Sequence, residues 1–117
     1  EVNGKYLIAF FSTGCKYCKL TTQKLALIAS RTDADFKRFY FFGKDKEKIP
    51  QYEEDLLKFW KTTKSDVVPN KVLVREKFFQ LAGYSLPAIY LVEDGEVKRQ
   101  LSFRSVDQKA IEEFFSK

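Results

Sequence analysis

The sequence predicts an α/β fold, a mixed central β-sheet flanked by helices on both faces. Three observations carry this. Short apolar runs with strand character (Tyr6 to Phe11, Phe36 to Phe42, Ala88 to Glu93), the first two rich in aromatic residues, are separated by stretches of helical period. Asp94-Gly95 is a strong two-residue hairpin signal between the last two strands. The resulting order is strand, helix, strand, helix, strand, helix, strand, strand, helix, which calls for parallel crossovers and one antiparallel hairpin. With 117 residues, including twelve Phe and six Tyr, the chain is the size of one domain, 1–117, and has enough apolar content to be expected to fill a single core.

Taken in order, Asn3-Gly4 supplies a turn before the first strand, Tyr6 to Phe11, whose lack of alternation suits a central strand buried on both faces. From Cys15 the period changes. Cys18, Thr22, Leu25, Ile28 and Ala29 recur at helical spacing, so a helix is expected from Cys15 to Arg31. Phe36 to Phe42 is the second strand, with Gly43 and the mixed charges after it read as a loop. Pro50 opens the next helix, with Glu53, Glu54 and Asp55 assigned to its first turn and Lys58, Lys61 and Lys64 to its last. Its apolar stripe is Tyr52, Leu56, Phe59 and Trp60, and Trp60 is assigned to the core rather than to a ligand platform.

Val67-Val68-Pro69 reads as a short edge strand, because proline cannot donate to a central ladder. Glu76 to Ala82 is a short helix closed by Gly83. Ala88 to Glu93 and the segment carrying Val97, Arg99, Leu101 and Phe103 form the antiparallel hairpin. Ser105 and Gln108 stand at capping-box spacing before a last helix whose buried face is Ala110, Ile111, Phe114 and Phe115.

Composition excludes several functions. The longest apolar run, Tyr6 to Phe11, is about six residues, against the roughly 20 needed to cross a bilayer. The net charge of +5 comes from lysines interleaved with acids, as in Lys44-Asp45-Lys46-Glu47-Lys48, which reads as a solvated surface and not as a nucleic-acid interface. With two cysteines and no histidine, no four-ligand zinc site of Cys and His can form within one chain, and no metal or cofactor is expected. The absence of methionine leads us to expect a processed or excised segment, with any anchor or export signal lying outside it.

The pair Cys15-Lys16-Tyr17-Cys18 concentrates the chemistry. Its cysteines stand three positions apart, where a buried strand hands over to a helix, so the first sulfur meets the unpaired N–H groups of a helix N-terminus. Cys15, nearer the start and more accessible, is the expected nucleophile, and Cys18, one turn further in, the resolving thiol. The helix dipole and the ammonium of Lys16, with that of Lys19, are expected to favour the Cys15 thiolate. Structural-disulfide and metal-ligand roles are the alternatives; so small a loop gains little from cross-linking.

Phe10-Phe11-Ser12-Thr13-Gly14-Cys15-Lys16-Tyr17-Cys18-Lys19 resembles the active-site segment of the thioredoxin superfamily. Tyr84-Ser85-Leu86-Pro87-Ala88-Ile89-Tyr90-Leu91-Val92, followed by Asp94-Gly95-Glu96-Val97, resembles the same superfamily's cis-proline loop, next strand and hairpin. The resemblance spans essentially the whole chain and implies a thioredoxin fold. The helix and short strand at about 44–74, before the cis-proline loop, are similar to the central insertion of membrane-anchored TlpA and ResA proteins. More loosely, the segment is similar to the C-terminal domains of DoxX-type membrane proteins. Three positions depart from the common pattern: Gly14 replaces Trp, Ala9 replaces the acid that many thioredoxins bury beneath the pair, and Lys16-Tyr17 replaces Gly-Pro.

What the resemblance implies is a thiol-disulfide oxidoreductase acting on protein disulfides, recycled by a redox partner, extracytoplasmic (periplasmic), tethered to a membrane by a part outside this segment, and monomeric. It also implies a cis bond at Pro87 that brings the Leu86 backbone beside Cys15 to receive an extended substrate, with Gly14, Tyr17 and Tyr84 at the rim. The alternative is a thioredoxin-like interaction module whose cysteines act as a redox-responsive latch.

Overall fold

Lys5–Phe11 forms β1, the middle strand of a five-stranded sheet. The computed structural model describes residues 4–32, 36–44, 49–63, 65, 68–83 and 86–116. After β1 come α1 (Lys16–Arg31), β2 (Arg38–Lys44), α2 (Ile49–Thr63), β3 (Asn70–Val74), α3 (Arg75–Ala82), β4 (Ala88–Glu93), β5 (Glu96–Leu101) and α4 (Gln108–Phe115), the element order expected from the sequence. The strands lie in the order β3-β2-β1-β4-β5. β1 pairs in parallel with β2 and antiparallel with β4, β3 extends the parallel side, and β5 completes the antiparallel side. The helices α1 and α2 make the crossovers that parallel neighbours require.

Strand alternation divides β1 between two cores. Leu7, Ala9 and Phe11 face a layer built from Cys18, Leu25 and Ile28 of α1, Leu56 and Phe59 of α2, and Ile111 of α4. Phe10, with Ile8 beside it, faces the opposite side, where Phe78 and Ala82 of α3 pack with Ala88. Rings account for much of the contact: Phe11 stands 4.9 Å from Tyr40 and Phe42 5.4 Å from Phe59, both edge-on. Each fully buried Phe contributes about 1.5–3 kcal/mol through removal from water, and each well-placed ring pair about 0.5–1.5 kcal/mol more. Trp60 is half-buried against Phe42, at the margin of this core as expected.

Several boundaries differ from the sequence reading. Gly43 lies within β2, not in a loop, and a Cβ there would come within 3.0 Å of the Phe78 ring, so glycine admits α3 against the strand. The edge strand follows Pro69 instead of ending with it. Pro69 forms the lead-in, its carbonyl accepting from the Tyr40 N–H at 3.0 Å, and the ladder begins at Asn70, where every residue can donate. Because α2 already starts at Ile49, Glu53, Glu54 and Asp55 fall one turn beyond its N-terminus, and Lys61 is the basic residue of its last turn. Asp107 caps α4, its Oδ1 accepting from the Ala110 N–H at 2.8 Å, while Ser105 is engaged with Ser102 in the preceding turn. β5 stops at Leu101 and leaves Phe103 in that turn. Lys64, Val67, Tyr84 and the side chain of Tyr52 lie outside the described residues.

The hairpin takes the form that Asp94-Gly95 predicts. Both residues have positive φ, 52° and 81°, the combination whose twist matches paired strands. Asp94 also reaches back to the start of β1: its Oδ1 accepts from the Gly4 N–H at 2.6 Å and its own N–H donates to the Gly4 carbonyl at 2.8 Å. No helix among the described residues is long and apolar enough to cross a membrane.

Candidate active site

β1 ends in the apolar Phe11, and the chain turns through Ser12, Thr13 and Gly14 before α1 begins. Cys15 is the N-cap of α1, with φ −94° and ψ 117°, and its Sγ accepts from the Cys18 N–H at 3.2 Å. A sulfur here takes the place usually held by a Ser or Asp oxygen, receiving an N–H that has no partner within the helix. The first turn holds no acidic residue to compete for it.

The two thiols, both free, occupy different environments. Cys15 is partly exposed, whereas Cys18 has no exposed surface and sits among the core residues of α1 and β1. Burial pushes the Cys18 thiol well above the ordinary thiol range, and its interaction with Cys15 adds to the effect, while the Ser12 N–H donated to Cys18 Sγ at 3.5 Å works against it. Ala9, fully buried in the same core, offers no carboxylate. Thr22 stays buried by donating its hydroxyl to the Cys18 carbonyl at 2.6 Å.

Across the sheet edge, Cys15 Sγ stands 4.0 Å from the carbonyl oxygen of Leu86. The Leu86–Pro87 peptide bond is cis. Beside this contact opens a groove of about 380 Å³ lined by Tyr17, Leu86, Pro87, Ser102, Phe103 and Arg104. The Tyr17 ring is 53% exposed and lies 5.0 Å from the Phe103 ring. Gly14 is exposed, and a Cβ there would meet nothing within 4 Å. Lys16 and Lys19 project, exposed, from the first turn of α1.

Cys15, Cys18, Tyr17, Leu86 and Pro87 therefore converge at one end of the sheet. Lys16 and Gly14 flank the sulfur along the chain, and Tyr84 lies outside the described residues. Sequence reasoning missed Ser102 and Arg104 and treated Phe103 only as a strand residue. A signal was present: the hairpin pairs Ile89 with Leu101, so the residues after Leu101 return beside those before Ala88. Among the described residues no group of three or more His, Cys, Asp or Glu side chains converges in a way that could hold a metal ion.

No protein-family model and no curated protein sequence matches the chain. Solved structures do. The thioredoxin domain of a thiol-disulfide oxidoreductase from Bacteroides vulgatus superposes with a TM-score of 0.76 at 20% identity, covering 97% of this chain and 80% of that one. StoA from Bacillus subtilis gives a TM-score of 0.75 at 15% identity, covering 97% and 84%. A secreted Mycobacterium tuberculosis disulfide oxidoreductase homologous to E. coli DsbE gives 0.70 at 10% identity, covering 97% and 81%. With its mixed sheet, its dithiol at the head of α1 and the proline loop opposite, this chain has the thioredoxin fold.

Proposed function

We propose that this domain is a thiol-disulfide oxidoreductase that exchanges disulfides with protein substrates through Cys15 and Cys18. The observation that carries the proposal is the inequality of the two sulfurs: Cys15 is accessible at a helix N-terminus beside the Leu86 backbone, and Cys18 is sealed one turn beneath it. The Cys15 thiolate attacks a substrate disulfide, forming a mixed disulfide as the substrate S–S bond breaks and the departing thiolate takes up a proton. Cys18 then attacks Cys15 Sγ, closing the protein disulfide and releasing the second substrate thiol, which takes up the proton that Cys18 gives up. Two electrons pass to the substrate, and a dithiol partner returns two to the pair as it becomes a disulfide; in the reverse direction the oxidised pair takes two electrons from a substrate dithiol and a disulfide partner reoxidises it.

Around this chemistry, Lys16 adds a positive charge to the rim, Gly14 leaves room for an approaching chain, Tyr17 forms part of the rim, and the Leu86 backbone beside Pro87 pairs with an extended substrate. The segment at about 44–74, which holds α2 and β3, is a TlpA/ResA-type insertion within one domain spanning 1–117. The domain works as a monomer outside the cytoplasm, tethered by a part of a longer protein. In support, structures of similar fold include a secreted disulfide oxidoreductase. Insulin reduction driven by a thiol donor tests the proposal: turnover is expected, with loss of more than a hundredfold in Cys15→Ser. A folded dithiol form that shows no turnover would point instead to a redox-responsive latch.

A further inference from the structure

The groove beside Cys15 is apolar on its walls and positive at its mouth. Tyr17, Phe103, Leu86 and Pro87 supply the apolar surface, and Arg104, exposed in the turn after β5, supplies a guanidinium. Lys24 of α1 reinforces both properties: its ammonium lies 5.3 Å from the Phe103 ring centre and donates to the Phe103 carbonyl at 3.2 Å, so a charge and a ring are held together. The whole of α1 carries Lys16, Lys19, Lys24 and Arg31 and no acidic residue, although the chain has 16 Asp and Glu in all. Among the described residues no acidic side chain lines the groove.

Resting on the oxidoreductase reading, we propose that the groove selects substrate segments in which the disulfide cysteine is flanked by an acidic residue and an aromatic one. The aromatic side chain lies on the shelf formed by Tyr17 and Phe103, where ring contact adds to the area removed from water. The carboxylate meets Arg104 at the rim and approaches through the field of Lys16 and Lys19. A positive rim facing solvent acts mainly on the encounter rate and on the rejection of basic partners. A backbone contact at Leu86 reads no side chains, so discrimination at this site falls to the groove.

The test uses disulfide-linked synthetic peptides of one backbone, with Glu or Lys beside the cysteine and Tyr or Ser at the next position. Rates of exchange with the reduced protein are followed by mass spectrometry, and neutral hydroxyethyl disulfide serves as the reference substrate. At low ionic strength the Glu peptide is expected to react about tenfold faster than the Lys peptide. The ratio should shrink toward one in 1 M salt, where the screening length falls to about 3 Å. Arg104→Glu should lower the ratio at least threefold, and Tyr→Ser in the Glu peptide should slow it severalfold. Equal rates for the Glu and Lys peptides, a ratio untouched by Arg104→Glu, or indifference to the Tyr would overturn the selectivity while exchange with the neutral disulfide leaves the oxidoreductase reading standing. Absence of Cys15-dependent exchange with the neutral disulfide would remove both.

Discussion

The Sγ of Cys15 and the carbonyl oxygen of Leu86 stand 4.0 Å apart although the residues are 71 positions apart in sequence. Two strands create this meeting. β1 and β4 run antiparallel with Phe10 opposite Ala88, so the exit of one and the entry of the other lie at the same end of the sheet. The two cysteines lie at different depths below that meeting point, Cys15 partly exposed and Cys18 buried.

In the folded, reduced protein at neutral pH, iodoacetamide should label Cys15 and spare Cys18. Cys18 has no exposed surface, and burial keeps it protonated. Peptide mapping should find one rapid modification in the native state and the second only after denaturation. Comparable labelling of both thiols in the native state would contradict the arrangement.

Alkaline pH should destabilise the reduced domain. In the unfolded chain a thiol titrates near 9.0 and a tyrosine near 10.0, and burial raises both Cys18 and Tyr40 in the fold. Above those unfolded values the native state binds more protons than the unfolded one, so the stabilisation is complete below about pH 9 and declines as pH rises, by up to about 1.4 kcal/mol per pH unit for each group. Denaturant titrations from pH 8 to 11 should show this fall, with a shallower slope in Cys18→Ala. An identical slope in the variant would show that Cys18 is not a contributor.

Gly43→Ala should cost about 1–3 kcal/mol, because the new methyl group meets the Phe78 ring at 3.0 Å and that ring is itself fully buried against Phe10 and Phe79. Phe78→Leu removes ring atoms from the same place. The double variant should therefore be less damaged than the two single losses added together, by at least about 0.5 kcal/mol. Strict additivity in urea denaturation would mean that the two positions do not collide.

Asp107→Ala should lower stability by about 1 kcal/mol through loss of the bond to the Ala110 N–H, whereas Ser105→Ala should stay within about 0.5 kcal/mol. Thermal melts of the two variants distinguish the caps. A larger effect at Ser105 would mean that its bonds to Ser102 hold the start of α4 more firmly than the Asp107 cap does.

Local chemistry made much of this fold legible. The change of period at Cys15, the Asp94-Gly95 turn and the Gly83 stop each act within a few residues, and each appears where expected. Misreadings occurred where a distant partner decides. Gly43 looks like a loop residue until Phe78 is known to press on it. Pro69 looks like part of a strand until Tyr40 is seen bonding to its carbonyl. Ser105 and Asp107 are comparable caps by propensity, and the choice falls to Asp107 because Ser105 is paired with Ser102. At the site, the cysteine pair was legible from its spacing together with its place where a strand hands over to a helix, but the groove wall at Phe103 and Arg104 required the register of the hairpin.

The pair of bonds between Gly4 and Asp94 gives the domain a mechanical character. A tension entering at Gly4 along β1 is met at once by the hairpin tip, and beyond it the middle strand must slide past β2 and β4 together. Such a pull loads both ladders in shear instead of peeling them open bond by bond. The sheet would thus resist being drawn out from this end, because the load is shared between the β1–β2 and β1–β4 ladders along the whole strand.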